Sequence, residues 1–141
     1  MITTPQVSVE HLSGDRFAVL VRSHTVVVVD QPYAAGGLDT GPTPTELFIG
    51  ALAGCVAFYA RRYLARHRLP EAGLAVTASY TTADRPARIA GVTVHVDVPA
   101  GLTPDQRRAL LAVASHCTVH NTLRQPPEIT VVLDGDAAAV A

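Results

Sequence analysis

The chain has 141 residues, of which 48% are hydrophobic and 16% charged, and its mean hydropathy is +0.25. This length is typical of one domain with a sizeable core, so we predict a single domain over residues 1–141. The formal net charge of −1 lacks the basic excess that nucleic-acid binding requires, and we expect no nucleic-acid partner.

The distribution of apolar residues along the sequence indicates the cellular compartment of the protein. The first twelve residues contain neither the charged nor the apolar segment of a signal peptide. The longest apolar stretch, Leu47 to Ala60, covers roughly 14 residues, which suits a buried helix better than a membrane span. We therefore expect a cytoplasmic protein that does not enter a membrane. The high hydropathy also favours an oligomer interface that covers part of the apolar surface.

The N-terminal third predicts an antiparallel meander. Its segments are rich in valine, alternate apolar with polar residues and are separated by a turn at Ser13–Asp15. A loop rich in glycine and proline follows over residues 31–43. The predicted strands are 7–12, 17–22 and 24–30.

A helix start is encoded in the letters TPTE. Thr43 can cap the helix, Pro44 suits its first position, and Glu46 completes a capping box with Thr43. We predict that this helix runs to about His67. Because its first half is apolar all round, we expect that half to be buried on every side.

The C-terminal half predicts a hairpin, two helices and a last strand. A second capping signature begins at Thr103, and an apolar stripe of Leu110, Leu111, Val113 and Ala114 follows it. With the N-terminal meander, this order predicts an α+β fold, and the tail 137–141 is expected to fray. The predicted strands are 74–83, 87–98 and 126–136, and the predicted helices are 104–116 and 118–123.

Four of the eleven arginines lie close together, at Arg61, Arg62, Arg66 and Arg68. Such a cluster is typical of a solvated helix face or the rim of an interface.

The two cysteines differ in their surroundings. Cys55 lies within the apolar helix, where a cysteine is usually a small buried hydrophobic residue. Cys117 follows the predicted end of one helix and precedes a short one, a position that favours the thiolate through the helix dipole and free N–H groups. A redox pair, a shared metal with His116 and His120, or two unrelated residues are all compatible with this pattern, although no fourth zinc ligand is evident.

Two motifs together resemble the OsmC/Ohr family of osmotically induced and organic-hydroperoxide-resistance proteins. They are the letters DQP…GGLDTGPTPTELFIGALAGC and, about sixty residues later, HCTVHNTL. The resemblance extends from about His24 to Leu133 and is closest to the general OsmC-like branch. It implies an intertwined homodimer in which antiparallel sheets surround long buried helices.

The resemblance also implies a function. Cys55 would be the residue that attacks a hydroperoxide, and Cys117 would resolve the resulting sulfenic acid as a disulfide. A dithiol, in some relatives a dihydrolipoyl group, would then reduce that disulfide. No metal or organic cofactor is implied, because the thiolate itself is the nucleophile.

The family pattern also includes a glutamate and an arginine at the site, and this sequence departs from the pattern at both. The well-studied peroxidases carry a glutamate ten residues before the first cysteine, whereas here Thr45 holds that position and Glu46 follows it. These relatives also use an arginine that precedes the helix. No arginine lies in the loop 31–43, so Arg22 or an arginine of a partner subunit is the candidate. Helix geometry places Glu46 about half a turn away from the Cys55 face, which favours a capping role for Glu46.

Two classes of function therefore remain open from the sequence. The first is a thiol-dependent peroxidase that reduces organic hydroperoxides through Cys55 and Cys117. The second is a binding or sensing module of the same fold that holds a small hydrophobic ligand and has weakly reactive cysteines.

Overall fold

The structure, a computed structural model, describes residues 5–22, 24–135 and 139–140. The chain divides into two compact units, residues 1–51 and residues 52–141. The long helix α1, Pro44–Arg66, begins in the first unit and ends in the second. Each unit is described separately below.

The first unit contains the predicted meander. Its strands β1 (Val7–Ser13), β2 (Arg16–Val21) and β3 (His24–Val29) form an antiparallel sheet in the order β1-β2-β3. The predicted loop follows β3 and contains one short 3-10 helix, Tyr33–Ala35.

A buried carboxylate organises this loop. Asp30 is 1% exposed and accepts hydrogen bonds from the backbone N–H groups of Gln31, Leu38 and Thr40 and from the Thr40 hydroxyl. These donors stabilise the charged form, so the pKa of Asp30 is lowered, with the Thr40 hydroxyl as the largest cause. The loop packs closely, since a Cβ at Gly37 would lie 2.0 Å from the Gln31 carbonyl oxygen. The conformation of the segment that leads into α1 therefore depends on Asp30.

The start of α1 confirms the predicted capping box. The Thr43 hydroxyl accepts from the Glu46 N–H at 3.1 Å, and the Glu46 carboxylate accepts from the Thr43 N–H at 3.0 Å. These bonds to Thr43 lower the pKa of Glu46. The predicted end of the helix is correct to within one residue.

The expectation that the first half of α1 is buried on every side is wrong for the single chain. Its buried residues follow one face, whereas Phe48 and Phe58 on other faces are 42% and 54% exposed. Within the described residues, packing therefore covers one face of this half of the helix. The buried residues of this half are Ile49, Leu52, Val56 and Ala60.

The second unit is built on a hairpin and two helices. Strands β4 (Ala75–Ala83) and β5 (Arg88–Asp97) pair along their length, and helices α2 (Pro104–Ala114) and α3 (Thr118–Arg124) follow. The predicted capping box of α2, between Thr103 and Gln106, is confirmed. The core of this unit joins α1, α2 and the start of α3, and its buried members are Leu52, Val56, Ala60, Tyr63, Leu64, Leu110, Ala114 and Cys117.

The last predicted strand is much shorter than expected. Only β6, Val131–Val132, is extended and paired, and its partner is β7, Ala139–Val140. The alternating pattern of residues 126–136 finds no longer strand to pair with in the described part of the chain. Residues 139–140 of the tail are thus paired rather than frayed, and residues 136–138 and 141 lie outside the described residues.

These elements confirm the predicted α+β class, with three helices and antiparallel sheets in the described residues. By length and composition alone, α1 could also cross a membrane. Core helices of soluble proteins pass the same test, so this feature is weak evidence for a membrane span.

Candidate functional site

The two cysteines lie next to each other in the second unit. Cys55 is half-buried on α1, and Cys117 is fully buried at the N-cap of α3, where its Sγ accepts from the His120 N–H at 3.4 Å. Both are free thiols in this structure. The structure therefore brings together two residues that are separated by about sixty positions in the sequence.

Burial is the main cause that raises the pKa of the Cys117 thiol. The nearby Cys55 side chain raises it further, whereas the N–H groups of His120 and Val119 act in the opposite direction. The sequence-based expectation of an activated thiolate at Cys117 is therefore wrong in its net direction. The predicted helix N-terminus is present, but desolvation outweighs it.

A hydrogen bond that the sequence did not predict fixes the helices that carry the two thiols. The hydroxyl of Tyr59 lies 3.0 Å from the Thr118 hydroxyl. Tyr59 is one turn after Cys55 on α1, and Thr118 is the residue after Cys117. This bond therefore connects the two cysteine segments directly. The spacing of four residues between Cys55 and Tyr59 was the available signal, but their partner could not be identified before the fold was known.

A cavity of about 380 Å³ adjoins this part of α1. Leu52 and Val56, which flank Cys55 in the sequence, line it together with apolar residues of β5 and α2. Its polar lining is at the α3 side, where Arg124 Nε donates to His120 Nε2 at 3.3 Å. The cavity can accommodate a small, mainly apolar molecule. The complete lining is Leu52, Val56, Val92, Val94, Val96, Leu111, Ala114, Ser115, His120, Leu123 and Arg124.

The other two predicted site residues lie in the first unit. Glu46 is exposed and engaged in the capping box. Arg22 occupies the turn between β2 and β3, with an exposed side chain and a left-handed backbone (φ 51°). Of the four predicted residues, the contacts within one unit bring together only Cys55 and Cys117.

The described residues contain no cluster of three or more His, Cys, Asp or Glu side chains that could hold a metal ion. His116, one of the histidines considered as a ligand, instead has its Nδ1 at 2.7 Å from the Ala112 carbonyl oxygen. The second, His120, interacts with Arg124.

Solved structures with the same architecture come from several bacteria. One is a Psychrobacter arcticus 273-4 protein described by osmotic stress induction and a detoxification response (TM-score 0.78, 18% identity, 86% of this chain and 90% of that chain). Another is the organic hydroperoxide resistance protein OsmC of Legionella pneumophila (TM-score 0.66, 20% identity, 88% and 91%). A third is an organic hydroperoxide resistance protein of Elizabethkingia anophelis (TM-score 0.67, 20% identity, 89% and 93%). These likenesses establish the fold.

No curated protein matches this chain in sequence. The sequence model of OsmC-like proteins, however, matches residues 37–132, which include the second half of the glycine-proline loop, all of α1 and both cysteines. The resemblance found in the sequence is confirmed over this range, and the chain belongs to the OsmC-like protein family.

Proposed function

We propose that this protein is a thiol-dependent peroxidase that reduces organic hydroperoxides through Cys55 and Cys117. The observation that carries the proposal is that the half-buried Cys55 packs against the core cluster that contains the fully buried Cys117. Two structures with this fold are of proteins named for organic hydroperoxide resistance, which supports the same chemistry here.

The exposure of the two thiols supports a different role for each. A hydroperoxide from solvent reaches the half-buried Cys55 before the fully buried Cys117. The Cys55 thiolate attacks the terminal oxygen of the hydroperoxide, the O–O bond breaks, and Cys55 becomes a sulfenic acid. The leaving alkoxide takes up the proton that the Cys55 thiol released on ionisation and departs as the alcohol. The Cys117 sulfur then attacks Cys55 Sγ, the S–O bond breaks, and water leaves.

A dithiol completes the cycle by two exchange steps. One of its thiolates attacks the Cys55–Cys117 disulfide to form a mixed disulfide, and its second thiol displaces the protein sulfur. Both cysteines return as thiols, and the reductant leaves as a cyclic disulfide after giving up two electrons and two protons. A dihydrolipoyl compound is a reductant of this class, and the cycle requires neither a metal nor an organic cofactor.

The roles of Arg22 and Glu46 in this reaction follow from the family pattern. We expect a cation near Cys55 to stabilise the thiolate and polarise the peroxide. Arg22 is the candidate within one chain, and an arginine from a partner subunit is the alternative. Glu46 has its carboxylate engaged by Thr43, so we assign it to the stability of the α1 start.

The test of the proposed function is a single-turnover experiment with cumene hydroperoxide. We expect the wild type to lose both thiols and form one disulfide per chain. Cys55→Ser should abolish hydroperoxide consumption, and Cys117→Ser should consume one equivalent and stop at a sulfenic acid that dimedone traps. Steady turnover of Cys117→Ser with a dithiol at the wild-type rate would contradict the resolving role.

A second candidate function is a binding or sensing module for a small hydrophobic ligand. The cavity of about 380 Å³ with its apolar walls favours this alternative. Under it, apolar ligands bind to the Cys55→Ser, Cys117→Ser double variant as tightly as to the wild type, and cumene hydroperoxide leaves both wild-type thiols intact.

We further propose that the protein acts as a cytoplasmic homodimer. Large apolar side chains remain exposed on α1, α2, α3 and the C-terminal segment of the single chain. A second copy of the chain is the occupant that the family resemblance indicates for this surface. Examples are Phe58, Leu111, Leu123, Ile129 and Val131.

A further inference from the structure

A basic pocket lies on the C-terminal half of α1, next to the cysteine site. It has a volume of about 370 Å³ and is formed by α1 together with the end of α2. None of the described residues that line it is an aspartate or a glutamate. Its lining consists of Tyr59, Arg62, Tyr63, Arg66, His67, Val113 and His116.

Two arginines of this pocket carry uncompensated charge. Arg61, which does not line the pocket, has its Nε 3.3 Å from a Glu71 carboxylate oxygen. In the described part of the chain, neither Arg62 nor Arg66 has a carboxylate within ion-pair distance. Because an arginine side chain keeps its charge at all physiological pH values, these two make the pocket attractive to an anion.

The pocket walls are held in place by contacts of their own. The Arg62 guanidinium lies over the Phe58 ring at 5.5 Å from its centre. Tyr63 is buried and packs against the His67 ring, with 4.3 Å between ring centres. Tyr59 is tied to Thr118 by its hydroxyl. A binding site that is ordered before its ligand arrives loses less entropy on binding.

The pocket is aligned with the reactive thiol. Cys55, Tyr59, Arg62 and Arg66 are spaced i, i+4, i+7 and i+11, so they follow one stripe along α1. Arg62 is two turns, about 10 Å, from Cys55 along the helix axis. Side chains of a helix lean toward its N-terminus, and the contact of the Arg62 guanidinium with Phe58, four residues earlier on α1, fits this direction.

We propose that this basic pocket binds the carboxylate of the dithiol that reduces the Cys55–Cys117 disulfide. This inference rests on the proposed peroxidase function. The pocket adjoins Cys117 through its neighbours His116 and Thr118, since His116 lines the pocket and Thr118 bonds to Tyr59 of its wall. An anion held by Arg62 and Arg66 would direct a short alkyl chain and its thiols along the stripe toward Cys55.

The two cavities of this unit differ in chemistry, which favours the reductant over the hydroperoxide as the anionic ligand. The cavity near Leu52 and Val56 has mainly apolar walls and suits the organic part of a hydroperoxide. The basic pocket contacts the following turns of α1, and its lining contains two arginines and two histidines, whereas that of the first cavity contains one of each. The two reactants of a two-step cycle can thus approach the same thiols from different cavities.

The test compares two reductants that differ only in charge. Dihydrolipoate carries a carboxylate, whereas in dihydrolipoamide a neutral amide replaces it. With cumene hydroperoxide as the substrate, we expect the Arg62→Gln, Arg66→Gln double variant to raise the KM for dihydrolipoate about tenfold or more, because two charge-assisted contacts are lost. The KM for dihydrolipoamide and kcat should remain within about twofold of the wild type.

Arg61→Gln is the matched control, because Arg61 is on the same helix but outside the pocket. An equal rise in KM for both dithiols, or the same rise in the control, would overturn the proposal. The proposal would also be overturned if the double arginine variant raised the KM for linoleate hydroperoxide but not that for its methyl ester. That result would assign the pocket to the peroxide instead.

A binding measurement separates this inference from the proposed function. Calorimetry should show that lipoate binds to the wild type. Lipoamide should bind to the wild type at least tenfold more weakly, and lipoate should bind to the double arginine variant at least tenfold more weakly. Failure of the protein to consume hydroperoxide would overturn the peroxidase function and, with it, the reductant assignment. Hydroperoxide consumption without selective lipoate binding would overturn the pocket assignment alone.

Discussion

At the scale of single residues, the two thiols should differ in reactivity toward an electrophile. Cys117 is 0% exposed, and burial raises the pKa of its thiol, so the reactive thiolate is scarce at neutral pH. We expect iodoacetamide at pH 7 to alkylate Cys55 first. A time course followed by peptide mass spectrometry measures both rates in the same sample.

The unfolded protein supplies the control for this prediction. In concentrated urea, both cysteines should be alkylated at rates within a few-fold of each other, because the difference arises from the fold. Faster alkylation of Cys117 than of Cys55 in the native protein would contradict the assignment of Cys55 as the attacking residue.

A second residue-scale effect concerns Asp30 and pH. Its hydrogen bonds lower its pKa below the ordinary carboxyl value of 3.8. A carboxyl with a depressed folded pKa stabilises the folded state above its unfolded pKa, and this contribution is lost as the pH falls through the lower folded pKa. The stability of the loop 31–42 should therefore decrease below about pH 4.

Asp30→Asn tests this role. In the variant, an NH₂ group replaces one carboxylate oxygen and cannot accept the hydrogen bonds that this oxygen accepts. The variant should therefore be less stable than the wild type at pH 7. The stability difference should shrink as the pH falls toward 2, when Asp30 becomes protonated in the wild type. Urea unfolding from pH 7 to pH 2 measures both curves, with the exposed Asp15→Asn as the control; a pH-independent difference would exclude the proposed cause.

At the scale of elements, the capping box at the start of α1 predicts different losses of stability for substitutions of Thr43 and Glu46. Thr43→Ala removes the acceptor for the Glu46 N–H and should cost about 0.5–2 kcal/mol of unfolding free energy. Glu46→Gln should cost less, because glutamine also serves in a capping box. Denaturant unfolding of the two variants measures this order.

Activity decides whether Glu46 also has a chemical role. We expect Glu46→Gln to retain hydroperoxide consumption, with Gln106→Glu in the equivalent box of α2 as a control. If Glu46→Gln abolished consumption while leaving the melting temperature unchanged, Glu46 would belong to the catalytic machinery, and the assignment from helix geometry would fail.

The elements that the sequence predicted well are those whose signals are local. Both capping boxes, the ends of α1 and the β1–β3 meander follow from residues a few positions apart. The strand predicted over 126–136 was wrong in length, because a strand exists only where a partner is available. The valine pattern of this segment cannot reveal which strand, if any, will pair with it.

The candidate site also combines local features that the sequence predicts with tertiary features that it does not. The motifs around Cys55 and Cys117 could be read from the sequence, but the net direction of the Cys117 pKa depends on burial, which is a tertiary property. The bond between Tyr59 and Thr118 joins residues 59 positions apart and could not be deduced from either segment. The role of Asp30 had a partial signal, since an aspartate that ends a valine-rich strand before a glycine-proline loop is suited to accept N–H groups of that loop.

At the scale of the whole molecule, the exposed apolar residues indicate association. Ile129 and Val131 are 75% and 61% exposed, and Phe58 in the middle of α1 is 54% exposed. Large apolar side chains exposed to this extent are typical of interaction surfaces. We therefore expect the protein to sediment as a dimer at micromolar concentration, with no folded monomer present.

A pair of neighbouring substitutions tests this expectation. Ile129→Asp places a charge where a partner chain would contact an apolar side chain, and it should shift the protein toward monomers or unfolded chains. Thr130→Asp introduces the same charge at the next exposed position and should leave the dimer intact, because it replaces a polar side chain and removes no apolar contact. Sedimentation equilibrium over a hundredfold range of concentration distinguishes the two variants. A folded wild-type monomer throughout this range would show that the exposed apolar residues are free surface, and an arginine from a partner subunit could then no longer serve Cys55.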